Sequence, residues 1–155
     1  MDFQLFYILI PLIAIVVLFF GKHFSQQGMD WYQFQPKAPL TPPSWVFVAV
    51  WNVIYLCGIV SAILVWKRLK RDTVFWIINV LFILNLFANA AWTYLYFVKH
   101  LIGFALLDAI FLILTTWALV GLIWKRDQTA SLLLLPYGCW LFFALYLNYY
   151  LFMFL

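Results

Sequence analysis

Apolar residues do not alternate along this chain; they run. Five windows (3–20, 43–66, 74–98, 102–124 and 130–155) are nearly unbroken stretches of apolar side chains. Each reaches the roughly 18 residues that a spanning helix needs to cross a hydrocarbon core ~30 Å thick. Polar residues gather between them, most densely in 21–42, 67–73 and 125–129. The pattern predicts an all-α integral membrane protein: one five-helix transmembrane bundle over residues 1–155. A long lid loop, 21–42, joins the first two helices; it carries Trp31, Tyr32, Phe34 and the prolines Pro36, Pro39 and Pro42. A connection of this length inside a compact bundle points to function. The first window has Asp2 rather than positive charge at its flank and no small-residue cleavage site after Phe20, so it reads as a retained helix bent near Pro11.

Inside the windows, the exceptions to apolarity form stripes. Thr41-Pro42-Pro43-Ser44 opens the second helix, with proline at a helix start where its missing N–H costs nothing. Phe47, Trp51 and Tyr55 follow at four-residue spacing on one face, and Gly58 and Ala62 continue it as a seam for close approach by another helix. Asn85, Asn89, Trp92 and Tyr96 share a face of the third helix. Phe104, Asp108, Phe111 and Thr115 share one of the fourth, and Pro136, Trp140, Ala144 and Asn148 one of the last. Asp108 is the charged side chain well inside a span. A carboxylate there is expensive unless it is protonated, hydrogen-bonded or turned to a wet cavity, so it marks the interior. Its role is either a helix-locking hydrogen bond or ligand chemistry. Counting 1.5 Å per residue inward from the lid side places Trp51, Asn89, Asp108 and Asn148 at one depth.

Composition agrees: 68% hydrophobic, 23% aromatic and 9% charged residues cannot be hidden in a soluble domain of 155 residues. Lys67, Arg68, Lys70, Arg71, Lys125 and Arg126 crowd one side, against Lys22, Lys37 and Lys99 on the other. By the positive-inside rule the N-terminus is cytoplasmic and the C-terminus outside. Topology accounts for the net charge of +4 without a nucleic-acid partner. Cys57 and Cys139 are free thiols within spans, and His23 and His100 sit at span ends away from other ligands, so no metal and no cofactor is expected. No phosphate loop or acid–base pair is visible.

Read in order, Pro42-Pro43-Ser44-Trp45 with Val50-Trp51 and Tyr55, Asn89-Ala90-Ala91-Trp92, Gly103 through Asp108, Pro136-Tyr137-Gly138-Cys139-Trp140 and Leu147-Asn148-Tyr149 resemble the translocator protein family (TspO/MBR, tryptophan-rich sensory proteins) over about three quarters of the chain. The resemblance implies a five-helix bundle, often a homodimer. It implies binding of tetrapyrroles such as protoporphyrin IX and of isoquinoline carboxamide or benzodiazepine drugs, with membrane lipid as surroundings. Carried over by motif, the ligand site is Trp51, Asn89, Phe104, Leu107, Trp140, Ala144, Leu147 and Asn148, with Tyr32 from the lid. The tyrosines of the last helix lack a following basic residue, unlike the sterol motif of animal members, and this with the short C-terminus suggests a bacterial plasma membrane. The leading expectation is a membrane binding protein or sensor for porphyrins. The alternative is an enzyme that degrades bound protoporphyrin with light and oxygen, Trp51 and Trp140 serving as catalytic indoles. Porphyrin or sterol transport is a third reading, weakened by the absence of an inverted repeat.

Overall fold

The computed structural model describes residues 3–155, with side chains from residue 5 onward, so Asp2 lies outside the described residues. Its elements are α1 (Phe3–Gln33), α2 (Ser44–Arg68), α3 (Thr73–Thr93) continuing into a π-helical turn (Tyr94–Val98), α4 (Ile102–Trp124), a short α5 (Gln128–Leu132) and α6 (Leu135–Phe154). Counting α5 and α6 as one broken span, five helical segments are long and apolar enough to cross a membrane. Packing closes them into a ring: α1 against α2 and α3, α3 against α4, α4 against α5 and α6, α5 against α2. Phe47 and Trp51 on α2 complete the circle against Trp140 and Tyr137 on α6, at 5.5 and 6.2 Å between ring centroids.

Helix boundaries follow local chemistry. Asp72 caps α3 by accepting from the Phe75 amide (3.0 Å), and Asp127 caps α5 by accepting from Ala130 (3.0 Å). Pro136 sits in the first turn of α6, and α2 ends on Lys67 and Arg68, which suit the negative end of its dipole. The same two aspartates tie the loops on the basic side crosswise: Arg68 to Asp127 at 3.1 Å and Arg126 to Asp72 at 2.9 Å. The Phe75 amide and then Arg126 hold the Asp72 carboxyl below the usual range. For Asp127, partial desolvation raises the pKa, but the Ala130 amide and Arg68 outweigh it and the net shift is downward.

The first helix departs from expectation. It runs unbroken through Pro11 and on to Gln33, so most of the anticipated lid loop is helix and the irregular connection is residues 34–43. Lys22, His23, Gln26, Gln27 and Asp30 lie on the exposed side of this extension, while Gly28 is buried against the backbone of Phe97 in the π turn. A Cβ at Gly28 has no room there. Trp31 stacks on His100 (4.0 Å between centroids), which turns the chain at φ 55°. At the other end Phe6 stacks on Trp66 at 3.7 Å. Pinned at both ends, α1 bridges the bundle like a strap, and Phe6, Ile10 and Ala14 in its first half face a void.

Candidate functional site

Three tryptophans from three helices meet inside the bundle. Trp51, Trp92 and Trp140 all pack on the buried cluster of Ile54, Ala88, Leu112, Ile113, Tyr137 and Leu141. Tyr137 is its polar centre. Its hydroxyl accepts from Asn89 Nδ2 (3.2 Å) and donates to Asn85 Oδ1 (3.0 Å). Asn89 Oδ1 accepts in turn from the Tyr55 hydroxyl. Asn85 Nδ2 reaches Thr115 Oγ1 (2.8 Å) and Thr116 Oγ1 (3.0 Å). The chain Tyr55–Asn89–Tyr137–Asn85–Thr115/Thr116 thus joins α2, α3, α6 and α4, and its members satisfy one another, as buried polar groups in lipid must.

Two regions adjoin this network, and they differ in polarity. Toward the basic end lies a cavity of about 260 Å³ walled by Phe6, Ile10 and Ala14 of α1, Trp51, Gly58 and Ala62 of α2, and Phe82 and Ile83 of α3, among others. Trp66 and Asn79 line it as well, the indole donating to Asn79 Oδ1 at 2.6 Å and the amide donating to the Phe75 carbonyl at 2.8 Å. Gly58 does not serve as the expected helix-packing seam: a Cβ there meets nothing within 4 Å, because the residue fronts the cavity. Ala105 and Ala109 of α4 are instead buried within the chain.

Toward the lid side the polar groups are not satisfied. Asp108 Oδ2, Trp140 Nε1 and both amide atoms of Asn148 are buried without a hydrogen-bond partner. Asn148 is 1% exposed. The antiparallel register of α4 and α6, set by Gly103 beside Phe152 and Gly138 beside Trp117, brings Asp108 and Asn148 to the same height. Above them Tyr32 packs on Tyr96 and Phe97 (6.2 and 5.8 Å) and lines a second recess with Lys37, Thr41 and Phe47. Lys37 Nζ lies 5.3 Å from the Tyr32 ring centre.

Of the residues expected at the ligand site, Trp51 and Asn89 line the basal cavity, and Trp140 shares their packing cluster. Asn148 and Trp140 occupy one stripe of α6, with Ala144 and Leu147 half-buried beside it. Phe104 and Leu107 do not join them. They are 62% and 63% exposed, because α4 buries Ile102, Ala105, Ala109 and Leu112 and turns the opposite stripe outward. Asn89 and Asn148, which the residue count placed at one depth, differ in their partners: one is held in the network, the other stands unpaired. Tyr137, Asn85 and the α1 wall of the cavity were absent from the expected set. Asn85 and Tyr55 had shown themselves as polar or aromatic positions on interior stripes; nothing in the apolar run of α1 distinguishes Ile10 or Ala14 from a lipid-facing residue.

A ring of five spanning segments around an aromatic, amide-lined interior defines an integral membrane protein with an internal cavity. Residues 8–154 match the TspO/MBR family. The chain is 32% identical over 136 residues to the translocator protein of Ovis aries, covering 84% of this chain and 79% of that one. It is 33% identical over 134 residues to the Homo sapiens translocator protein, with the same coverage. To the tryptophan-rich protein TspO of Chlorobaculum tepidum it is 32% identical over 144 residues, 88% and 87% of the two chains. The chain belongs to the TspO/MBR family.

Proposed function

We propose that this protein is a membrane binding protein or sensor for tetrapyrroles such as protoporphyrin IX and for similar planar hydrophobic molecules, including isoquinoline carboxamide and benzodiazepine drugs. The observation that carries the reading is the set of buried, unpartnered polar atoms on Asp108, Trp140 and Asn148, next to tryptophan rings. A buried polar group without a partner costs about 1–3 kcal/mol, so such a set calls for a ligand that is flat and apolar with a few polar substituents. Indole faces contribute on the order of 1 kcal/mol each to stacking on a macrocycle. Tyr32 and Lys37 stand over this region, and the connection 34–43 is short enough to act as its cover. The porphyrin is the ligand, and no further cofactor is invoked. The host membrane is a bacterial plasma membrane, and the protein works as a homodimer.

Titration of the purified protein with protoporphyrin IX, read by tryptophan fluorescence, gives saturable quenching, and Asn148→Leu weakens it about tenfold, the equivalent of 1.4 kcal/mol. Unsaturable quenching, equal in both proteins, rejects the proposal.

A second reading, light- and oxygen-dependent degradation of bound protoporphyrin, is favoured by one feature. Trp51 lies 5.9 Å from Tyr55 and 6.2 Å from Tyr137 between ring centroids, a cluster of oxidisable rings beside the site. The porphyrin would serve as its own photosensitiser and molecular oxygen as the oxidant. Aerobic illumination then yields a defined product with the native protein and loses it with Trp51→Phe; equal bleaching by denatured protein defeats this version.

A further inference from the structure

The basal cavity asks for a different occupant. Every amide, phenol and indole N–H on its wall that is buried has a partner among the described residues: Asn79 with Trp66 and the Phe75 carbonyl, Tyr55 with Asn89, Tyr137 and Asn85 with each other. Apart from the half-buried indole of Trp51, it therefore offers mainly apolar surface. At about 260 Å³ it is also smaller than the ~300–1,000 Å³ of sites for drug-sized ligands. Its position is the second clue. It lies between the strap-like α1 and the faces of α2 and α3, within the length of the spans, where the surrounding solvent is lipid hydrocarbon. Ile13 and Ile83 line it and are 49% and 53% exposed, which puts them at a lateral rim. On α2 the wall is cut back by Gly58 and Ala62, and the space in front of Gly58 is open.

We propose that this cavity is a lateral site for one acyl chain of a bilayer phospholipid, distinct from the polar region around Asp108 and Asn148. The chain enters past Ile13 and Ile83 and lies along Gly58 and Ala62 beneath the Tyr55–Asn89–Tyr137 network. It fills a void whose wall is mainly apolar and offers water few of the partners it would need. The site does not depend on the tetrapyrrole reading.

The test uses the full chain in phosphatidylcholine vesicles doped with a phosphatidylcholine bearing a diazirine at mid-chain. After irradiation, adducts are mapped by mass spectrometry. Adducts are expected on Ile54 and Leu134, which line the cavity and are only 4% and 3% exposed, besides those on outward residues such as Val48 and Phe87. Gly58→Phe, which fills the open space, removes the Ile54 and Leu134 adducts and keeps those on Val48 and Phe87, which also report that the bundle is folded. Ala62→Leu does the same, and Gly58→Ala leaves all adducts in place. Wild-type protein without adducts on Ile54 or Leu134, or variants that retain them, overturns the proposal. So does their displacement by protoporphyrin IX, which would make the cavity part of the tetrapyrrole site. Failure of porphyrin quenching with the adducts intact removes the proposed function and leaves this site standing.

Discussion

Tyr137 holds its position through one oxygen that both accepts and donates, so replacing it tests the network at a single atom. Tyr137→Phe keeps the ring beside Trp51 and leaves Asn89 Nδ2 and Asn85 Oδ1 without that partner. Tyr55→Phe removes one bond, to Asn89. A buried amide that loses its partner costs about 1–3 kcal/mol in water-soluble proteins, and hydrogen bonds between membrane helices average about 0.6 kcal/mol. Tyr137→Phe is therefore expected to destabilise by about 1–3 kcal/mol and Tyr55→Phe by roughly half as much, measured as thermal unfolding in the same detergent. Equal effects would mean that Asn85 and Asn89 find other partners once the phenol is gone. Trp140, by contrast, has an indole N–H that no protein group satisfies, so Trp140→Phe removes an unmet demand along with a ring edge.

Among the elements, α1 shows where reading a sequence reaches its limit. The five spans were legible because unbroken apolar runs leave a membrane as the only solvent; the caps Asp72 and Asp127 at the starts of α3 and α5 emerge only in the structure. The continuation of α1 to Gln33 was not legible, since Lys22, His23, Gln26, Gln27 and Asp30 look like a loop to any hydropathy count. They are helical because Gly28 lets the helix touch the π turn at Phe97 and Trp31 finds His100, contacts made far along the chain. The interior stripe of α4 was legible only in part, Thr115 and the Asp108 carboxyl facing inward and Phe104 and Phe111 outward, for a related reason. Its apolar residues surround the helix, so only packing decides that Ala105 and Leu112 face inward while Phe104 and Leu107 face out. On the basic side the crossed ion pairs give an element-level prediction. Both aspartates titrate below their usual value in the folded protein, so their stabilisation is complete above about pH 4 and is lost as the pH falls through the lowered native values. The unfolding temperature in detergent should hold level from pH 7 toward that point and drop below it. Asp127→Asn should lower the pH 7 value and flatten the drop; an unchanged acid profile would show that the clamp contributes nothing.

At the scale of the whole molecule, charge and aromatic exposure divide the bundle into two ends. One end has Lys67, Arg68, Lys70, Arg71, Lys125 and Arg126, with Arg71 5.1 Å from the Trp66 ring. The other has Phe34, Leu40 and Trp45, which are 87%, 68% and 72% exposed around the connection 34–43. Trp and apolar side chains at such a rim suit the headgroup boundary, and the excess of Lys and Arg assigns the opposite rim to the cytoplasm. If the basic rim is the cytoplasmic one, the unsatisfied polar groups of Asp108, Trp140 and Asn148 would lie in the outer half of the bundle and the basal cavity in the cytoplasmic half. This orientation determines from which side a porphyrin would arrive, so it is worth fixing directly. In a background with Cys57→Ser and Cys139→Ser, Phe34→Cys on intact cells should react with a membrane-impermeant maleimide, and Lys70→Cys should react only after permeabilisation. The reverse pattern would invert the molecule in the membrane, place the proline-bearing connection in the cytoplasm and make an intracellular porphyrin pool the one the site could sample.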